Sequence, residues 1–461
     1  MANLKNSKLA GGKSKTREQF SGRFGMLATA IGSAVGLGNI WRFPYIVGQY
    51  GGGAFLIVYL LMVAIIGIPI MMVEFIIGRE ARRDAINSFR ILAPGKAWFL
   101  SGVIGVLAAF FILGFYGVVA GWTLEYIRLS LVNAFKGMDS QAVGQVFSDF
   151  ISHPVKPIIT QLLVMAATGL VVSTGLQKGV EKAAKFMIPI LVVLMVILNV
   201  QSFLLPGGQA GFDFLFKPDF SKLTKEGILA ALGHAFFSLS LGMGIMITYG
   251  SYIPKKEVLG RAALNISLAD TILALLAGIA IFPAVFAFGI EPSSGPGLVF
   301  ISLPNIFGQM AGGYFFGLMF FVLLFLASLT STISLLEVVV AFLSEQFKVE
   351  RRRASLLATL GVSAVGLVAS LSNGPLGHIK LAGDNIFDFL DKLTANYFLP
   401  LAAFISVIFV GWFLDRGLVR GQLAGDGFSG TGAFYKLFIF LIKFVVPLAV
   451  VVVFLFQTGK I

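Results

Sequence analysis

The segment Gly32-Ser33-Ala34-Val35-Gly36-Leu37-Gly38-Asn39 stands inside an apolar block, residues 24–48, that is otherwise long enough to cross a bilayer. A second segment of the same kind, Phe237-Ser238-Leu239-Ser240-Leu241-Gly242-Met243-Gly244, stands inside the block at 227–252. Each glycine lowers helix propensity by about 1 kcal/mol relative to alanine. Backbone that leaves the helix at membrane depth survives only where protein buries it or where it lines a cavity. Val35-Gly36-Leu37-Gly38 and Leu241-Gly242-Met243-Gly244 share one rhythm of apolar residue and glycine, and they fall in the first and sixth blocks. That placement predicts a five-helix unit used twice, and an odd number of crossings inserts the second copy upside down. Glycine-interrupted spans at matching positions of two halves point to a ligand site at mid-membrane, where half-helix N-termini receive carboxylates and free carbonyls receive cations. Small residues also let helices pack closely, and many of the chain's 54 glycines do only that.

The surrounding blocks have the length of a spanning helix and not of a spanning strand. Eleven are predicted, at about 24–48, 54–78, 98–131, 157–174, 184–205, 227–252, 263–289, 312–343, 354–372, 386–414 and 434–456. Composition agrees. Of all residues 57% are hydrophobic and 12% charged, against about 25% charged in a soluble domain, so most of the surface faces lipid. The net charge of +13 is spread between the apolar blocks. It forms no groove-sized patch, which argues against nucleic acid as a partner. The chain has no cysteine, hence no disulfide, thiol catalysis or thiolate metal site. His153, His234 and His378 lie in separate segments without metal-ligand spacing, and no nucleophile–base set is apparent, which counts against an enzyme.

The amino terminus carries Lys5, Lys8, Lys13, Lys15, Arg17 and Arg23, but no short apolar core with a cleavage site follows. Basic residues concentrate in alternate connections, for example Arg79 to Lys96 and Lys348 to Arg353. The positive-inside rule then puts the amino terminus in the cytoplasm, and an odd span count puts the carboxyl terminus outside. Three outer connections are long, about 132–156, 206–226 and 290–311. The last opens with Glu291-Pro-Ser-Ser-Gly-Pro-Gly297 and is either a lid packed back on the helices or an ordinary loop.

Gly36-Leu-Gly-Asn-Ile-Trp-Arg-Phe-Pro-Tyr45 followed by Gly51-Gly-Gly-Ala-Phe55 resembles the first-helix signature of the neurotransmitter:sodium symporter family. The likeness continues in order through Gly67-Ile-Pro-Ile-Met-Met-Val-Glu74, Phe237 to Gly244, Leu329-Thr-Ser331 and Asp388-Phe-Leu-Asp391. It implies an all-α polytopic membrane protein with a LeuT-type 5+5 inverted repeat, discontinuous first and sixth helices and about eleven transmembrane helices, as in some bacterial members. On this basis the chain divides into a cytoplasmic tail (1–22), a first repeat (23–205), an extracellular connection (206–226), a second repeat (227–414), and an eleventh helix with the carboxyl-terminal tail (415–461). The implied location is a bacterial inner membrane.

The resemblance implies two sodium sites and no organic cofactor. The first would use the Ala34 carbonyl with Asn39, Ser238 and Asp270, where Asp270 stands in place of a more usual Asn and Asn265 is its rival. The second would use Gly32, Val35, Ala327, Thr330 and Ser331. All are oxygen donors, as the hard sodium ion requires. An ionised Asp270 would supply the negative charge that chloride supplies in animal relatives, so transport should be chloride-independent. The substrate pocket maps to Ala34, Gly36, Gly38, Ile112, Tyr116, Phe237, Ser238, Ser240, Met243, Ser334 and Leu335. Gly36 leaves room for a substrate carboxylate, and Ile112, Phe237, Met243 and Leu335 offer an apolar lining. Met243 is deformable, which admits aromatic side chains. Arg42 with Asp391 would gate the outer side, and Arg17 with Glu345, packed by Phe20 and Tyr252, the inner side. Glu74 would brace the broken helices, and Gly179 with Pro189 resembles a helix-unwinding motif. The implied activity is sodium-coupled import of hydrophobic L-amino acids by alternating access. A transport-inactive amino-acid sensor of the same fold is the alternative, distinguished by binding without accumulation.

Overall fold

The computed structural model describes residues 17–289, 297–423 and 432–457. The basic residues Lys5, Lys8, Lys13 and Lys15 and the Glu291–Pro296 part of the third long connection lie outside the described residues.

Among the described residues nine helices are long and apolar enough to cross a membrane, ten with the broken first pair, and a second broken pair stands where the sequence places the sixth of eleven crossings. The first is broken into α1 (Arg23–Ala34) and α2 (Gly38–Gln49), which meet at 45°. Then follow α3 (Gly53–Ala81), α4 (Phe99–Leu131), α5 (Lys156–Ser173) and α6 (Leu176–Phe203). The sixth crossing is broken into α7 (Lys225–Ser238) and α8 (Ile245–Gly250). The rest are α9 (Leu259–Ala287), α10 (Gly313–Gln346), α11 (Arg351–Leu371), α12 (Ile386–Phe413) and α13 (Ala433–Phe456). Among the described residues the chain is helical apart from connections and one isolated bridge between Leu381 and Asp384.

Burial sorts the helices. The most apolar stretches of α4 and α10 are 72% buried, whereas those of α6 and α13 are 33% buried. Apolar residues occur all round these helices, so it is contact with protein or lipid, and not amphipathicity, that separates centre from rim. The two broken crossings sit in the middle: α1 packs on α10, α6 and α9, α7 on α3, and α8 on α3 and α10. Their irregular backbone is therefore covered by protein, as a membrane demands.

The described part of the third long connection is not an extended loop. Leu298–Gln309 is a short apolar helix, and Leu298, Val299 and Phe300 are fully buried. The Tyr126 hydroxyl donates to the Phe300 carbonyl at 2.6 Å. Of the two sequence expectations, the packed-back form holds here. The Gly179–Pro189 stretch stays wound in this structure, as one wide turn (Leu176–Glu181) leading into a helix that contains Pro189.

Candidate functional site

Each break is held by side chains from other helices. α1 stops at Ala34, and Val35 adopts extended backbone (φ −78°, ψ 97°). Helix resumes when Asn39 and Ile40 donate their N–H groups to the Gly36 carbonyl. The Gly36 N–H is taken by Asn39 Oδ1 at 3.1 Å, and the Leu37 N–H by the Tyr116 hydroxyl at 2.9 Å. In the sixth crossing Ser240 (φ 55°), Gly242 (φ 76°) and Gly244 (φ 72°) are left-handed. That conformation costs an L-residue about 1–2 kcal/mol, which explains the two glycines. Ser240 is retained where its Oγ donates to the Ser33 carbonyl at 3.0 Å, tying one break to the other. The Gly242 N–H donates to Glu74 Oε1 at 2.8 Å, the bracing contact that the family resemblance implies.

Beside these breaks lies a buried polar cluster. Asn39 Nδ2 donates to Asp270 Oδ1 at 2.7 Å and to the Asp270 carbonyl at 3.1 Å. Ser238 Oγ lies 3.0 and 2.9 Å from the two Asp270 carboxylate oxygens. Asp270, not Asn265, is the residue of α9 that meets Asn39. The sequence did not single out Tyr59, whose hydroxyl donates to Asp270 Oδ2 at 3.2 Å. Asn39, Tyr59 and Asp270 are wholly buried. All side-chain partners of the carboxylate are uncharged.

A second cluster joins the same break to α10. Thr330 Oγ1 lies 3.4 Å from the Val35 carbonyl and 2.9 Å from the Ala327 carbonyl. Ser331 Oγ lies 3.3 Å from the Ser33 carbonyl and 3.4 Å from that of Ala327. Gly32 abuts Thr330: a methyl placed on it would stand 3.4 Å from Thr330 Cβ. The five residues named from the sequence thus converge, and the Ser33 carbonyl joins them. Every donor in this second set is neutral.

Between the clusters is a small cavity. Ala34, Gly36, Gly38, Ile112, Tyr116, Phe237, Ser240, Met243 and Leu335 line it as expected. Ser33, Ile245 and Ser331 line it as well. Ser238 belongs to the Asp270 cluster. Ser334 turns away, accepting from the Tyr249 hydroxyl at 2.7 Å and donating to the Thr330 carbonyl at 3.0 Å. A side chain at Gly36 would strike Ser331 Oγ and stand 2.6 Å from the Tyr116 hydroxyl.

An ion pair stands on each side of the cavity. Towards the side opposite the amino terminus, Arg42 pairs with Asp391 at 3.6 Å and lies 4.9 Å from the Phe237 ring centre. On the amino-terminal side Arg17 pairs with Glu345, lies over the Tyr252 ring at 4.6 Å and donates from Nε to Ser251 Oγ at 2.7 Å. Burial draws the Arg17 guanidinium below its ordinary pKa, and Tyr252 and Asp84 oppose that shift. Phe20 meets Tyr249 and Tyr252 edge-on at 5.9 and 6.0 Å. Behind them the Tyr252 hydroxyl donates to Glu337 Oε1 at 2.8 Å, and Arg351 donates to both Glu337 oxygens at 3.2 and 2.5 Å. Arg351 was readable from the sequence only as a loop charge, because its partner stands on a different helix.

A helical bundle whose two broken helices line a cavity with an ion pair on either side has the architecture of a secondary transporter. A family model described as the sodium:neurotransmitter symporter family matches residues 17–143 and 145–461, and the chain belongs to that family. It is a sodium-dependent symporter, not an enzyme. The sodium-dependent transporter YhdH of Bacillus subtilis (strain 168) is 40% identical over 441 residues, covering 96% of this chain and 98% of the relative. The crystal structure of MhsT in complex with L-phenylalanine matches with a TM-score of 0.89 at 44% identity, covering 95% of this chain and 99% of that one. The sodium-dependent serotonin transporter of Drosophila melanogaster is 27% identical over 450 residues, 87% of this chain and 71% of the relative.

Proposed function

We propose that the chain imports hydrophobic L-amino acids, aromatic ones included, with sodium by alternating access and without need of chloride. The observation that carries this reading is the wholly buried Asp270 carboxylate, whose side-chain partners Asn39, Ser238 and Tyr59 are all neutral. A buried charge without a counter-charge is costly, and a sodium ion between Asp270, Asn39, Ser238 and the Ala34 carbonyl would supply one. The charge balance there is then internal to the protein. The second sodium ion would take the Gly32, Val35 and Ala327 carbonyls with the Thr330 and Ser331 hydroxyls. The substrate carboxylate would lie over Gly36, within reach of Tyr116, and its side chain among Ile112, Phe237, Met243 and Leu335. The L-phenylalanine held by MhsT supports an aromatic substrate class here.

Arg42 with Asp391 would close the extracellular side, and Arg17 with Glu345, Phe20 and Tyr252 the cytoplasmic side, following the distribution of Lys and Arg. The cycle needs sodium and substrate to bind the outward-open and inward-open states with different affinity. The test is uptake of labelled leucine, tyrosine and tryptophan into proteoliposomes, under an inward sodium gradient or a potassium control, with chloride or gluconate outside. Sodium-driven accumulation that ignores the anion is expected. Binding without accumulation would refute transport.

A further inference from the structure

We propose that a basic cavity between the amino-terminal end of α1 and the start of α9 binds the phosphate of an anionic phospholipid in the adjoining leaflet. The cavity is lined by Arg23, Lys256, Glu257, Val258 and Arg261, with Met26 and Ala262 at its wall. Among the described residues no hydrogen bond or ion pair engages the Arg23, Lys256 or Arg261 side chain, in contrast to Arg17, Arg79 and Arg351 nearby. The Glu257 carboxylate also faces the space and opposes an anion, but three cations outweigh it. Neither helix that opens onto the cavity begins with a capping side chain: Gly22 precedes α1 and Val258 precedes α9. Their positive ends add to the field of the cations.

The apolar surface below the cations favours a lipid over a soluble anion. Arg261, Leu268 and Ile272 are spaced by seven and four residues, so they lie along one face of α9. Leu268 and Ile272 are 49% and 53% exposed. On α1, which packs against α9, Phe24 next to Arg23 is 64% exposed. An acyl chain can follow these residues away from a phosphate held at the cations. Basic pockets between helices at a membrane surface are suited to such head groups.

The site has a consequence for the cycle. Arg23 follows Phe20 on the segment that closes the amino-terminal side, and Lys256 follows Tyr252 on the other side of that contact. The Phe20 N–H donates to the Tyr252 carbonyl at 3.2 Å. A phosphate shared by Arg23, Lys256 and Arg261 ties these segments together and favours the state in which this side is shut.

The test is a titration of the full-length protein in detergent with phosphatidylglycerol bearing a fluorescent acyl chain. Unlabelled phosphatidylglycerol, phosphatidylcholine and inorganic phosphate serve as competitors. Each basic group near a membrane surface contributes about fivefold, so Arg23→Gln/Lys256→Gln/Arg261→Gln should weaken binding by roughly a hundredfold. Glu257→Gln should strengthen it, and both variants should still bind sodium and leucine, which reports that they fold. Parent-like affinity in the triple variant overturns the site. Equal competition by phosphatidylcholine overturns its charge basis. Displacement by millimolar inorganic phosphate alone overturns the lipid as its occupant.

Discussion

Replacing Asp270 by Asn removes a charge and almost no volume. The carboxylate is wholly buried and accepts from Asn39 at 2.7 Å, Ser238 at 2.9 Å and Tyr59 at 3.2 Å, all neutral. An amide at this position keeps one oxygen for those donors and for sodium, so the local fold should persist. What is lost is attraction between a carboxylate and a cation. At about 4 Å and an effective dielectric of about 20 that attraction is about 4 kcal/mol. Part of it is offset because the ion-free parent must hold a buried carboxylate without a counter-charge. A net loss of about 3 kcal/mol corresponds to roughly a hundredfold weaker sodium binding. The assay is binding of labelled leucine to purified Asp270→Asn and parent protein across a sodium titration, with a thermal midpoint measured in potassium. The expected result is a half-saturating sodium concentration raised by about two orders of magnitude, with a midpoint in potassium no lower than the parent's. An unchanged sodium requirement would refute the assignment of this carboxylate to sodium. A parent whose uptake rises with chloride would refute the internal charge balance.

Gly36→Ala should abolish amino-acid binding while leaving a folded protein, because the added methyl strikes Ser331 Oγ and stands 2.6 Å from the Tyr116 hydroxyl; equilibrium binding with a thermal midpoint separates the two. Met243→Phe stiffens and fills the apolar wall of a small cavity, so tryptophan should lose at least about tenfold in competition against labelled leucine, with smaller aliphatic residues little affected. Glu337→Gln breaks the buried pair with Arg351 and should destabilise the protein by about 3 kcal/mol or more, read as a lower thermal midpoint. Adding Arg351→Gln should recover part of that loss, whereas additive destabilisation would argue that the two do not act as a pair. If Glu337 also couples protons, its Gln variant changes the pH dependence of uptake; an unchanged profile dismisses that role.

Much of this protein follows from local chemistry. Clustered glycine and serine in the middle of apolar blocks mark the two breaks, because several together lower helix propensity where single ones only let helices pack closely. Apolar blocks of about 18 residues or more announce spanning helices, because the bilayer sets a minimum length for all. Asn39, Ser238, Thr330 and Ser331 as oxygen donors beside those breaks, and Glu74 as a brace, came from the family resemblance, and their chemistry agrees with it, because polar groups deep in apolar spans usually turn inward to a partner. Other contacts depended on which helices meet. Tyr59 looks like one more apolar-face aromatic until α3 brings it against Asp270. Arg351 looks like one of three loop arginines until α11 turns it onto Glu337. Asp270 and Asn265 lie about a turn and a half apart on α9, and it is the rotation of that helix against α2 that turns Asp270 onto Asn39. In water a helix advertises its buried face by its polar one; in lipid both faces are apolar. The sequence therefore determines where helices run and break, and only their packing decides which side chains meet.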